Sequence, residues 1–237
     1  MRRPYSGAMA NYPRYAIYYT ATPDGTLDRF GASLLGYDGH SGEDQPFPDG
    51  VPLDWRDLTQ DPRRYGFHAT LKAPMVLADG KAEAQLAAAC ELFADLARPV
   101  PVIQPVVDSI SGFIAVIPAE PSADLDLLAA QATRAFDSFR APLGAEDRAR
   151  RNPEALTPRQ RDYLDRWGYP YVFEEFRFHM TLTGRLPTER REPIVAMLRG
   201  RFAATDVGPL AIDAIALCRQ DNANSRFRVI GRWQLRD

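Results

Sequence analysis

Two of the three histidines of this 237-residue chain lie in nearly the same pentapeptide, Phe67-His68-Ala69-Thr70-Leu71 and Phe178-His179-Met180-Thr181-Leu182. A strand sends alternate side chains to opposite faces, so in both segments His and Thr share one face while the apolar residues take the other. Each segment is apolar behind and reactive in front. Two such segments meeting at one cleft would offer two imidazoles and two hydroxyls to a single ligand, a set suited to acid and base roles in one reaction. One copy alone would read as a hydrogen-bonded structural histidine. Two copies that use two of three histidines point to a site. The third, His40, lies in the glycine-rich run Gly36 to Gly42, where solvation is the default, and is left out.

Continuing the alternation extends the candidate set. Lys72 follows His68 and Thr70 on the expected cleft face, and Arg177 and Thr183 flank His179 and Thr181. Lys72 and Arg177 are candidates for neutralising a phosphate. Tyr15, Tyr18 and Tyr19 are aromatic candidates on an earlier strand; Tyr18 is retained as a ring wall for a sugar or base.

The elements that must position these residues follow from pattern. Arg14 to Ala21 reads as a strand and Asp24 to Leu35 as a helix. After a proline- and glycine-rich loop and a turn at Asp54 to Asp61 comes the first motif strand, Tyr65 to Ala73, then a helix over Lys81 to Ala97 and strands at Val100 to Val107 and Gly112 to Ile117. Ser122 caps a helix reaching about Arg140, and Thr157-Pro158 opens another to Trp167. Arg148 to Arg151, between them, reads most simply as a solvated hinge, with arginines near a phosphate site as the alternative. The second motif strand, Tyr171 to Thr183, is followed by a helix over Thr188 to Phe202 and a hairpin, Leu210 to Arg219 with Arg226 to Leu235. Motif strand, helix, two strands: the order repeats.

Composition bounds the partners. A net charge of −2 and a pI near 6.0, without a lysine-arginine tract, lack the footprint of a duplex-binding protein. Met1 to Pro13 has no apolar h-region, and no run of about 18 apolar residues occurs, so a cytoplasmic protein without a membrane partner is expected. Cys90 and Cys218 sit in apolar patterns and read as buried, reduced thiols. Neither motif has metal-ligand spacing, and chemistry without a metal or other cofactor is expected.

The paired His-x-Thr-Leu motifs resemble the signature of the 2H phosphoesterase superfamily, which includes RNA 2',3'-cyclic phosphodiesterases and 2'-5' RNA ligases. RYAIYYTA, YGFHATLKAPM, LTPRQRDYLDRWGYPYVFEEFRFHMTLTGRL and FRVIGRW resemble a bacterial branch associated with phosphonate-degradation genes. The resemblance covers nearly the whole chain and implies a bilobal α+β fold, two pseudo-symmetric antiparallel sheets lining a central cleft with helices outside. Residues 1–237 then form one domain, with lobes near 14–120 and 121–237 and strand exchange between them left open. The expected activity is hydrolysis of a cyclic phosphodiester of a small nucleotide or ribose phosphate, and a monomer is expected. An RNA-end phosphodiesterase or ligase acting on a short RNA end, and a phosphate-binding module without turnover, are the alternatives.

Overall fold

The computed structural model describes residues 12–237; residues 1–11, which hold most of the stretch read as lacking a leader, lie outside them. In chain order the elements are β1 (Arg14–Tyr19), α1 (Thr26–Leu35), α2 (Trp55–Leu58), α3 (Gln60–Arg63), β2 (Ala69–Met75), α4 (Glu83–Asp95), β3 (Val102–Ile103), β4 (Pro105–Ile110), β5 (Phe113–Pro118), α5 (Ala123–Ala135), α6 (Ala145–Arg150), α7 (Pro158–Trp167), β6 (Met180–Thr181), α8 (Thr188–Ala203), β7 (Leu210–Ala211), β8 (Ala214–Gln220) and β9 (Arg228–Gln234). The chain is α+β with antiparallel sheets.

Local sequence accounts for the helix starts. Ser122 Oγ accepts the Leu125 amide at α5. Thr157 and Gln160 form a reciprocal capping box at α7, with proline in its first turn; such a cap contributes about 1 kcal/mol. Helix α5 ends at Ala135, short of Arg140, because the chain tightens into a 3-10 turn over Asp137–Phe139. The turn expected at Asp54 to Asp61 is wound into α2 and α3, and the hinge expected at Arg148 to Arg151 overlaps α6.

The repeated order is present as β2-α4-β3-β4-β5 and β6-α8-β7-β8-β9. Sheet topology then crosses the repeats. Hairpin β4-β5 follows β2 in sequence but pairs with β6, whereas β8-β9 follows β6 but joins β1 and β2 in the order β2-β1-β8-β9. The corresponding short strands β3 and β7 pair with one another. The sheets therefore do not divide at residue 120; each sheet combines strands from both sides of that point.

One core cluster packs Ile17, Leu71 and Cys90 with Leu128, Phe178, Leu198 and Ile215, so residues from both halves leave water together, at roughly 25 cal/mol per Å² of apolar surface. A smaller cluster on the other face of the first sheet holds Ala16, Tyr18, Ala216, Cys218 and Phe227. Cys90 and Cys218 are buried free thiols. Among the described residues, no helix is long and apolar enough to cross a membrane.

Candidate active site

His68 immediately precedes β2 and lies two residues after Gly66, whose φ of +74° lies in the left-handed region that glycine adopts without a Cβ penalty. That turn directs the Gly66 carbonyl back to His68 Nδ1 at 2.8 Å. His179 repeats the arrangement, with Nδ1 2.7 Å from the Arg177 carbonyl. A carbonyl oxygen only accepts, so each Nδ1 carries the proton and donates it. Each Nε2 is left for chemistry. His68 Nε2 lies 3.3 Å from the Thr70 hydroxyl.

The two rings are partly buried and electrostatically unequal. Burial pulls the His68 pKa down to about 4, opposed by its bond to the Gly66 carbonyl and assisted by the charge of His179. Burial also lowers the His179 pKa, with the Arg177 carbonyl opposing. Desolvation disfavours the imidazolium in both.

Thr70, Arg177 and His179 border one cavity of about 310 Å³ together with Phe113, Tyr169 and Arg185, a volume suited to a small ligand. Phe113 packs at 5.3 Å from the His179 ring. Thr181 is partly exposed and pairs with Ala115 on β5. Tyr18 lies opposite Thr70 on β1 and stacks on His68; it is buried against the imidazole instead of forming an open wall.

Lys72 lies elsewhere. Ile17 pairs with Lys72 but the next residue, Tyr18, pairs with Thr70, so the register shifts by one residue at Leu71. Such a bulge breaks the alternation and puts Lys72 on the core side with Ile17. Its ammonium is buried, donating to Asp137 Oδ1 at 2.7 Å and to the Thr133 carbonyl at 3.1 Å. Burial lowers its pKa while Asp137 holds it up. Thr183 is likewise buried, donating to the Gly184 carbonyl and accepting from the Ile114 amide, because pairing with β5 ends at Thr181. Only Met180 and Thr181 of the expected strand Tyr171 to Thr183 are paired; Phe173–Glu175 before them form a 3-10 turn. Tyr15 and Tyr19 belong to the core, Tyr15 donating to Glu83. His40 is not solvated: its Nε2 is 3.2 Å from the Ala21 carbonyl and 3.7 Å from Asp28, and its side chain is 14% exposed.

Phe113, Tyr169 and Arg185 were not legible as cleft residues. Arg185 continues the alternation from Arg177, but the strand that would carry it has ended. Phe113 enters only through the pairing of β5 with β6.

A family model described as a protein of unknown function, DUF1045, matches residues 70–228. The chain belongs to the DUF1045 family. Two curated relatives of this DUF1045 chain are named "Ribose 1,5-bisphosphate phosphokinase PhnN". The one from Janthinobacterium sp. (strain Marseille) is 35% identical over 223 residues, 90% of this chain and 49% of the relative. The one from Laribacter hongkongensis (strain HLHK9) is 30% identical over 217 residues, 91% and 50% respectively. The DUF1045 chain thus spans about half the length of these relatives. Among solved structures, it is similar to a crystal structure of a phosphoesterase at 16% identity and TM-score 0.40, covering 95% of this chain and 100% of that one. It is also similar to E. coli LigT complexed with 3'-AMP, at 13% identity and TM-score 0.41, covering 95% and 99%.

Proposed function

We propose that this protein hydrolyses a small cyclic phosphodiester without a metal, with His68 as base and His179 as acid. The observation that carries this reading is the matched anchoring of both Nδ1 atoms on the carbonyl two residues earlier, which leaves two Nε2 atoms of complementary use. His68 Nε2 takes a proton from water, the resulting hydroxide forms a bond to phosphorus, one ring P–O bond breaks, and His179 Nε2–H protonates the departing alkoxide. His68 is the base because burial keeps its ring neutral. A phosphate anion bound beside His179 favours its charged form. Thr70, Thr181 and Arg177 hold the non-bridging oxygens as charge develops.

The relatives' name favours a ribose phosphate as the sugar. Opening the 1,2-cyclic phosphate of a 5-phosphorylated ribose at its 2-oxygen produces ribose 1,5-bisphosphate, the compound in that name. The resemblance to the phosphonate-associated branch agrees with this choice.

The test is turnover of ribose 1,2-cyclic phosphates and nucleoside 2',3'-cyclic phosphates, followed by phosphorus NMR with and without a chelator. Ring opening in chelator is expected. Activity that vanishes with the chelator and returns with a divalent ion would overturn the two-histidine mechanism.

A further inference from the structure

The chain carries a net charge of −2, yet one cavity of about 370 Å³ is bordered by five guanidinium groups, Arg14, Arg64, Arg140, Arg150 and Arg151, against a single carboxylate, Asp147. Like charges on a concave, low-dielectric wall repel one another and focus a field that draws anions. Carboxylates offset only part of this charge. Asp137 engages Arg140 at 2.9 Å, and Asp147 engages Arg150. Among the described residues no carboxylate forms an ion pair with Arg14, Arg64 or Arg151. Arg14 donates to the neutral Gln220 amide oxygen at 2.9 Å, and Arg151 lies over the Tyr169 ring at 5.2 Å.

This basic cavity adjoins the candidate active site. Tyr65 borders it, and the Tyr65 ring centroid is 6.1 Å from that of His68. Tyr169, which carries Arg151 on its face, borders the cleft of His179. A ligand whose reacting phosphate sits between the imidazoles would extend past these tyrosines to reach the arginines. Guanidinium groups bind phosphate oxygens in pairs, and tyrosine rings flank a sugar at little entropic cost. A cyclic diester has one negative charge, for which His179 and Arg177 suffice. The adjoining arginines match a second group of higher charge, as a phosphomonoester has near neutrality.

We infer that the substrate is a small cyclic phosphodiester bearing a second, terminal phosphomonoester, held by Arg64 and Arg151 while the ring phosphate reacts between His68 and His179. The reacting end rests on the two-histidine reading; the arginine pocket does not. Its product is a sugar with two phosphomonoesters, so the consuming reaction is one that acts on a sugar bisphosphate.

Two measurements on the full chain test this independently. The first compares kcat/KM for ribose 1,2-cyclic phosphate with and without a 5-phosphate. The wild type should favour the 5-phosphorylated substrate about 100-fold, since a site built around a polar group rejects the analogue lacking it. In Arg64→Gln/Arg151→Gln that preference should fall below about 10-fold, chiefly through KM. Equal use of both substrates by the wild type overturns the inference. The second is calorimetric titration with ribose 5-phosphate, which has no ring to open. Binding weakened at least about 10-fold in the double variant, roughly 1.4 kcal/mol, supports the pocket; absent binding, or equal binding by both proteins, overturns it. If the wild type opens neither substrate, the two-histidine reading fails while calorimetry still decides the pocket. Preference for an RNA oligonucleotide with a cyclic end, with a steep salt slope, would overturn the small-substrate assignment in favour of a polymer.

Discussion

The ring of Tyr18 lies flat on that of His68, with centroids 3.8 Å apart and planes inclined by 29°. Tyr18 is 1% exposed, so its ring shields one imidazole face from water. Desolvation is the leading cause of the low His68 pKa, and Tyr18 supplies part of that desolvation.

Tyr18→Leu should therefore raise the His68 pKa from about 4 toward the ordinary value near 6.5, as followed by NMR titration of the imidazole. Tyr18→Phe keeps the ring and should leave the titration unchanged. An equal shift in both variants would show that the hydroxyl, not the stacked ring, sets the pKa.

The pH dependence of kcat/KM reports the free protein. His68 must be neutral, so activity rises through its pKa of about 4. His179 must be charged, and burial lowers its pKa, so the falling limb should lie below the ordinary histidine value near 6.5. The optimum is thus mildly acidic. In the complex the phosphate raises the His179 pKa, and the falling limb of kcat should move to higher pH; both limbs belong to the coupled pair. A kcat/KM that stays flat above neutrality would remove the histidine acid from the mechanism.

His68→Ala and His179→Ala should each remove most of the turnover, and the double variant should be little worse than either, because the pair acts as a unit. Thr70→Ala and Thr181→Ala should cost less, roughly 10 to 1,000-fold in kcat, if each removes one donor to the developing charge. Circular dichroism should show folded protein throughout. Full activity in either histidine variant would make that motif structural.

Lys72→Met keeps the aliphatic stem but removes the ammonium from Asp137. It should destabilise the protein by roughly 1–3 kcal/mol in denaturant titration, while kcat/KM stays within about twofold of wild type. A tenfold loss of kcat/KM at unchanged stability would return Lys72 to the cleft.

Features set by local rules are legible in the residues alone. The duplicated His-x-Thr pentapeptides announced two apolar-backed, reactive-fronted segments. Ser122 and Thr157-Pro158 marked helix starts through hydrogen bonds spanning only three residues. Tertiary structure decided everything that depends on a partner strand or a distant loop. Alternation predicts the face of Lys72 only while register is unbroken, and the bulge opposite Ile17 is visible only once β1 pairs with β2. The exchange of hairpins β4-β5 and β8-β9 could not be read from two similar repeats, since local pattern does not say which sheet a hairpin joins. The basic cavity gathers Arg14, Arg64, Arg140 and Arg151 from separate parts of the chain. No run of sequence contains that charge cluster, because fold closure alone brings those side chains within each other's field.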